Sequence, residues 1–246
     1  MTIKLIYSII SLILVIVSPI FFFVYEKKLN KVSFKFWDVL IGIVVEFICK
    51  HVLVNFVISL FSTLITNTTV YVIVYVLLTA LSMVVGLLLI NKLYYHDKLN
   101  KDNALGITLG MGVADILNTT LMAALSNLLY ISQMNNGTLY ENLIKSVSSD
   151  TANNVINMYT NLPNGYFIYV GIITLAMLIS NYLVMVLFVT TNRKSFKIVL
   201  PFMMEVIFTT VYYFTDPTKI VYANIILIVF ALIQYIFGRL NLKNYG

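Results

Sequence analysis

Charge is what this sequence has least of. Only 11% of its 246 residues are Asp, Glu, Lys or Arg, against about 25% in an ordinary soluble domain. Such a chain has too few ionic groups to hold a water-facing surface, which excludes the soluble globular class. Cys49 is the lone cysteine, so no internal disulfide can form. The two histidines, His51 and His96, offer no His-x-x-x-His or His-Glu spacing; this excludes zinc peptidases of known spacing, and no metal site is expected. The glycines of Gly106-Ile107-Thr108-Leu109-Gly110-Met111-Gly112 neither follow a strand nor open a phosphate-binding turn, so nucleotide binding is not expected. A serine nucleophile motif is missing as well, and no cofactor is implied.

What is present is apolar. Hydrophobic residues make up 60% of the chain, and its mean hydropathy is +0.93. A membrane-crossing helix needs about 20 mostly apolar residues. Seven stretches qualify, at roughly 3–25, 38–63, 70–91, 104–131, 165–190, 198–214 and 220–238. Helices are expected throughout, because lipid leaves unpaired backbone groups unsatisfied and the alternation of a barrel is missing. The expectation is an all-α polytopic bundle in one domain spanning 1–246. Its first run is too long for a signal-peptide core and its basic cluster follows rather than precedes it, so it reads as a retained span.

The net charge of +6 follows topology and not nucleic-acid binding. Loops 26–37, 92–103 and 191–197 and the tail from Arg239 together hold 12 Lys and Arg, whereas the opposite side holds Lys4, Lys145 and Lys219. By the positive-inside rule the carboxyl end is cytoplasmic and the amino end outside. Usage rich in Ile, Asn, Lys and Tyr points to a bacterial cytoplasmic membrane. One outer loop, about 132–164, carries the turn signal Asn135-Asn136-Gly137 and then apolar residues at helical spacing, with a cap at Ser148-Ser149-Asp150. Two short amphipathic helices are expected there, on the outer surface or packed against the bundle's rim.

Within the second span, Val44 to Phe56 reads VVEFICKHVLVNF and places Glu46, Lys50, His51 and Asn55 where lipid surrounds the chain. Asp115 and Asn118 fall near the middle of the fourth span, and Glu205 near the middle of the sixth. These three spans run the same way, so five ionisable groups share one depth. An isolated charge at that depth costs about 2.5–3.5 kcal/mol, so the groups must meet one another or water. Glu46 and Lys50 stand four apart with the acid first, the order that favours a same-face pair; Lys50 can equally pair with Asp115 or Glu205. His51, Asn55, Ser59 and Ser62 form a second stripe. Thr108, Asp115, Thr119 and Ser126 share one face of the fourth span, within about 40°. Gly106 and Gly110 lie opposite, a surface suited to close helix packing. Glu205, Thr209 and Tyr212 share a face beyond Pro201. Three acids face one lysine, so one acid must be protonated, hydrated or paired with His51.

The layout resembles a known family. Ser18-Pro19-Ile20-Phe21-Phe22 ends the first span, Gly86 stands late in the third, and Lys92 to Asn103 precede Leu109-Gly110-Met111-Gly112-Val113-Ala114. In these features the chain resembles the YhfC-type family of membrane peptidases, which is similar to the glutamic intramembrane proteases that include CAAX-processing enzymes. The family's glutamate pair and arginine would fall at Met83-Val84-Val85-Gly86-Leu87, which has neither. Val113 replaces the histidine after the glycines, and Glu205 stands nearest the late histidine. The resemblance therefore implies a degenerate member without the general base.

Three functions are compatible with these residues. The leading one is a non-catalytic accessory, regulatory or immunity component that binds a hydrophobic peptide or membrane partner. The second is an intramembrane peptidase with a rearranged site built from Glu205 or Asp115 with His51. The third is a small proton- or cation-coupled carrier using Glu46, Lys50, Asp115 and Glu205.

Overall fold

The computed structural model describes residues 2–29, 33–61, 67–191, 194–213 and 220–243. Ser62, Lys219 and the Tyr212 side chain, which entered the expectations above, lie outside what is described. Every regular element among the described residues is a helix. In chain order these are α1 (Thr2–Leu29), α2 (Phe36–Phe61), α3 (Thr68–Tyr94), α4 (Lys101–Asn135), α5 (Leu139–Leu143), α6 (Ser149–Asn161), α7 (Asn164–Thr190), α8 (Lys194–Tyr213) and α9 (Ile220–Lys243).

Helices α1, α2, α3, α4 and α7 are long and apolar enough to cross a membrane. The sixth and seventh expected spans fall on α8 and α9. Within α9 the apolar stretch is shorter, Ile228–Phe237. Polar caps mark the starts. Asn67 accepts hydrogen bonds from the Thr69 and Val70 backbone N–H groups at 2.9 and 3.2 Å, and Asn100 accepts from Asn103 at 2.9 Å.

The most buried of the long helices is α7, which packs against α1, α4, α8 and α9. Its composition is apolar on every face, as a central helix requires. Helices α2, α4, α7, α8 and α3 close into a ring in that order. The α2–α4 contact is the tightest: a Cβ on Gly110 would lie 2.0 Å from the Val39 carbonyl oxygen, and one on Gly42 would lie 2.2 Å from that of Ile107. Gly106 faces Asp38 and Phe34 on the same seam. These glycines let the two backbones touch.

Inside the ring, one apolar layer draws on all five helices. Met83, Leu87 and Ile90 of α3 meet Ala104, Ile107 and Met111 of α4 and Val184, Met185, Phe188 and Val189 of α7; Ile41 and Val45 of α2 and Met204 of α8 pack against them. The two short helices between α4 and α7 dock on the bundle. In α6, the Tyr159 hydroxyl donates to Asn127 Oδ1 of α4 at 3.0 Å, and Lys4 of α1 donates to the Tyr159 and Thr160 carbonyls at 2.9 and 2.8 Å. The lysine thus satisfies carbonyls at the helix's carboxyl end, where the dipole favours a cation. Burial, followed by the neighbouring Tyr166 and Tyr130 hydroxyls, pushes the Tyr159 hydroxyl up to about 12.

Candidate functional site

Immediately beside the apolar layer sits a charged cluster. Lys50 Nζ of α2 lies 3.1 Å from Glu46 Oε1 of the same helix, 3.2 Å from Asp115 Oδ1 of α4 and 3.3 Å from Glu205 Oε1 of α8. One ammonium therefore holds three carboxylates from three helices. All three acids are buried, at 0, 1 and 1% exposure. The alternatives open in the sequence, Lys50 with one acid or another, collapse into a single centre because an ammonium has three donors pointing in different directions.

Neutral donors complete the shell. Asn181 Nδ2 of α7 donates to Asp115 Oδ2 at 3.0 Å, and Thr209 Oγ1 donates to Glu205 Oε1 at 3.3 Å. Glu46 is less well supplied. Its Oε2 has no hydrogen-bond partner among the described residues. His51 turns its Nε2 toward Asp115 Oδ1 at 4.0 Å, beyond hydrogen-bond range, and that nitrogen is likewise buried without a partner.

Local backbone form explains how α2 and α4 present these groups. The helix widens into π turns at Phe47–Leu53 and again at Ile116–Thr120. Such turns are rare and recur at functional sites. Polar side chains here bond to carbonyls a turn back: Asn55 Nδ2 to the His51 carbonyl at 2.7 Å, Asn118 Nδ2 to that of Ala114 at 2.9 Å, and Thr119 Oγ1 to that of Asp115. Asn55 and Asn118 are exposed and make these local bonds; the structure places neither among the charges. At 100° per residue Asn55 stands about 140° from Lys50, on the second stripe and not on the face of the cluster. Asn118 shared only depth with the cluster.

Asn181 is the member that sequence reasoning missed. It is an amide in the middle of the most buried span, and its presence amid apolar residues was the available signal. Gly106 and Gly110 sit on the α2 seam, and His96 lies in the exposed α3–α4 loop with φ of 48°. No group of three or more His, Cys, Asp or Glu among the described residues is arranged to hold a metal ion.

A second buried carboxylate stands on the far side of the apolar layer. Asp38, 2% exposed, accepts the Tyr95 hydroxyl, the Asn103 amide at 3.2 and 3.1 Å and the Lys35 N–H at 2.8 Å. Burial and then the Asp38 bond hold the Tyr95 hydroxyl well above the ordinary tyrosine value. No family model, no curated protein and no solved structure matches the chain.

Proposed function

We propose that the protein is a seven-span component of a bacterial cytoplasmic membrane, amino end outside and carboxyl end cytoplasmic, that works without catalysis by binding a hydrophobic peptide or partner helix. An accessory, regulatory or immunity role fits this chemistry, with a YhfC-like scaffold that has lost its general base. One observation carries the non-catalytic reading. Glu46, Asp115 and Glu205 are buried and committed to Lys50 at 3.1–3.3 Å, whereas a hydrolytic carboxylate must be free to position water.

Binding has its own support in a separate place. An apolar cleft of about 290 Å³ opens between α1, α7 and α9, lined among others by Phe21, Phe22, Leu175, Leu178 and Tyr235. Its walls suit the side chains of a partner helix, with close packing supplying the affinity in a lipid surrounding. Crosslinking in native membranes, followed by detergent purification and mass spectrometry, tests the reading. A stoichiometric membrane partner, lost when Leu175→Trp fills the cleft, is the expected result. A protein recovered alone from every crosslinking condition would defeat it.

The peptidase reading keeps one supporting contact, His51 Nε2 facing Asp115 Oδ1 at 4.0 Å. It requires cleavage of a membrane-embedded substrate that disappears in Glu205→Gln. The leading reading expects no cleavage in either form.

A further inference from the structure

We infer that the Lys50 cluster is a proton-binding site: one exchangeable proton is shared between the Glu46 and Asp115 carboxyls and reaches them through His51. The inference does not depend on partner binding.

Counting charges comes first. With all groups ionised and His51 neutral, three carboxylates against one ammonium would leave two uncompensated negative charges among residues 0–1% exposed. Burying unpaired charge is among the costliest arrangements a protein can hold. The hydrogen-bond shell then says where a proton belongs. Glu205 has Lys50 and Thr209, and Asp115 Oδ2 has Asn181. Glu46 Oε2 has no donor, and Asp115 Oδ1 has only its ion pair with Lys50. These two carboxyls are neighbours, since both stand on the same Lys50 Nζ, at 3.1 and 3.2 Å. A proton on either carboxyl turns one acceptor into a donor that its neighbour can accept.

Among the described residues, no other ionisable group takes part in the cluster's ion pairs. On α2, the Cys49 thiol packs against Gly86 of α3. The buried residues of α3, from Val76 to Leu87, include no ionisable side chain. On α7 the group facing the cluster is the Asn181 amide, while the Tyr182 ring packs against Phe22 and Tyr235. Among the described side chains of α8, Glu205 is the one ionisable group at the cluster. A metal or alkali cation is a poor occupant, since Lys50 Nζ already stands at the centre of the three carboxylates.

The cluster reaches the surface at Lys50, 12% exposed, and at His51. The apolar layer of Met83, Ile107, Met111, Met185 and Met204 closes the side toward Asp38. The imidazole of His51 is 15% exposed, and its inner nitrogen faces Asp115 Oδ1. In the entry step, the imidazolium gives its Nε2 proton to Asp115 Oδ1, becomes neutral imidazole, and lowers the cluster's surplus from two negative charges to one. The 4.0 Å gap is closed by a small ring rotation or a bridging water. Histidine suits the step because its ring can give a proton from one nitrogen and take one up at the other.

Infrared spectroscopy of the full chain in lipid vesicles tests this directly. At neutral pH the wild type should show a carboxylic-acid carbonyl band that shifts in D2O. The band should vanish in Glu46→Gln and persist in Glu205→Gln. In His51→Phe it should remain, with its hydrogen–deuterium exchange slowed by about 100-fold or more. No carboxylic-acid band in the wild type at neutral pH overturns the proposal, and this outcome needs no variant to fold. A band surviving in Glu46→Gln, or lost in Glu205→Gln, moves the proton elsewhere and overturns it too. Unchanged exchange in His51→Phe removes the histidine route.

Discussion

Asp38 and Glu46 are eight residues apart on one helix, about 12 Å along its axis, and are both buried. Their surroundings differ in kind. Asp38 takes its bonds from neutral groups, a hydroxyl, an amide and a backbone N–H, and has both oxygens occupied. Glu46 shares one ammonium with two other acids and leaves Oε2 unserved. A carboxylate saturated by dipoles is a fixture: here it ties the α3–α4 loop to the start of α2. A group of carboxylates competing for a single cation has more than one protonation state within reach, and so can respond to its surroundings. The apolar layer between them, with Ile41 and Val45, keeps the two sites separate.

The largest effect should come from removing the shared cation. Lys50→Met leaves three acids around a methionine, and breaking a buried pair by removing one partner costs about 3–5 kcal/mol. Thermal unfolding in detergent, followed by circular dichroism, should show that loss. Adding Glu205→Gln to Lys50→Met should recover part of it, because one fewer charge is then stranded. A single variant that unfolds like the wild type, or a double variant no better than the single, would mean that the cluster is not held together by Lys50.

How much of this was readable beforehand depends on the kind of information each residue carries. The helical class and the five long apolar helices follow from runs of residues, which need no knowledge of neighbours. Glu46, Lys50, His51, Asp115 and Glu205 could be named because any charge in an apolar run must find company. Asn181 is neutral and raised no such alarm. Asn55 and Asn118 were grouped with the charges by depth alone, which does not say which face of the helix a residue occupies. The role of Gly110 was partly visible as a small-residue surface. That it would meet Val39 of α2 is a matter of tertiary geometry that one sequence does not encode locally.

A smaller loss should follow from the neutral-donor site. Asp38→Ala strands the Tyr95 hydroxyl, the Asn103 amide and the Lys35 N–H, at about 1–3 kcal/mol for the unsatisfied groups. Amide exchange over 95–103 should speed up, because the loop loses its anchor. The carboxylic-acid infrared band should stay where it is. If that band moved, the two carboxylate sites would be coupled through the apolar layer, and the contrast between fixture and responder would fail.

The smallest effect belongs to Tyr95→Phe, which deletes one hydroxyl and leaves Asp38 its Asn103 and Lys35 donors. At neutral pH the cost should be about 0.5–1.5 kcal/mol. The sharper signature lies in alkali. Burial and the Asp38 carboxylate hold the folded Tyr95 hydroxyl neutral beyond the ordinary tyrosine value of about 10, so the folded state keeps a proton that the unfolded chain gives up. The stability tied to this proton is present below about pH 10 and falls as pH rises further. Unfolding midpoints measured from neutral pH into that range should fall less steeply in Tyr95→Phe than in the wild type. Equal slopes would show that Tyr95 does not hold its proton against Asp38, and that the site is less saturated by neutral donors than its geometry implies.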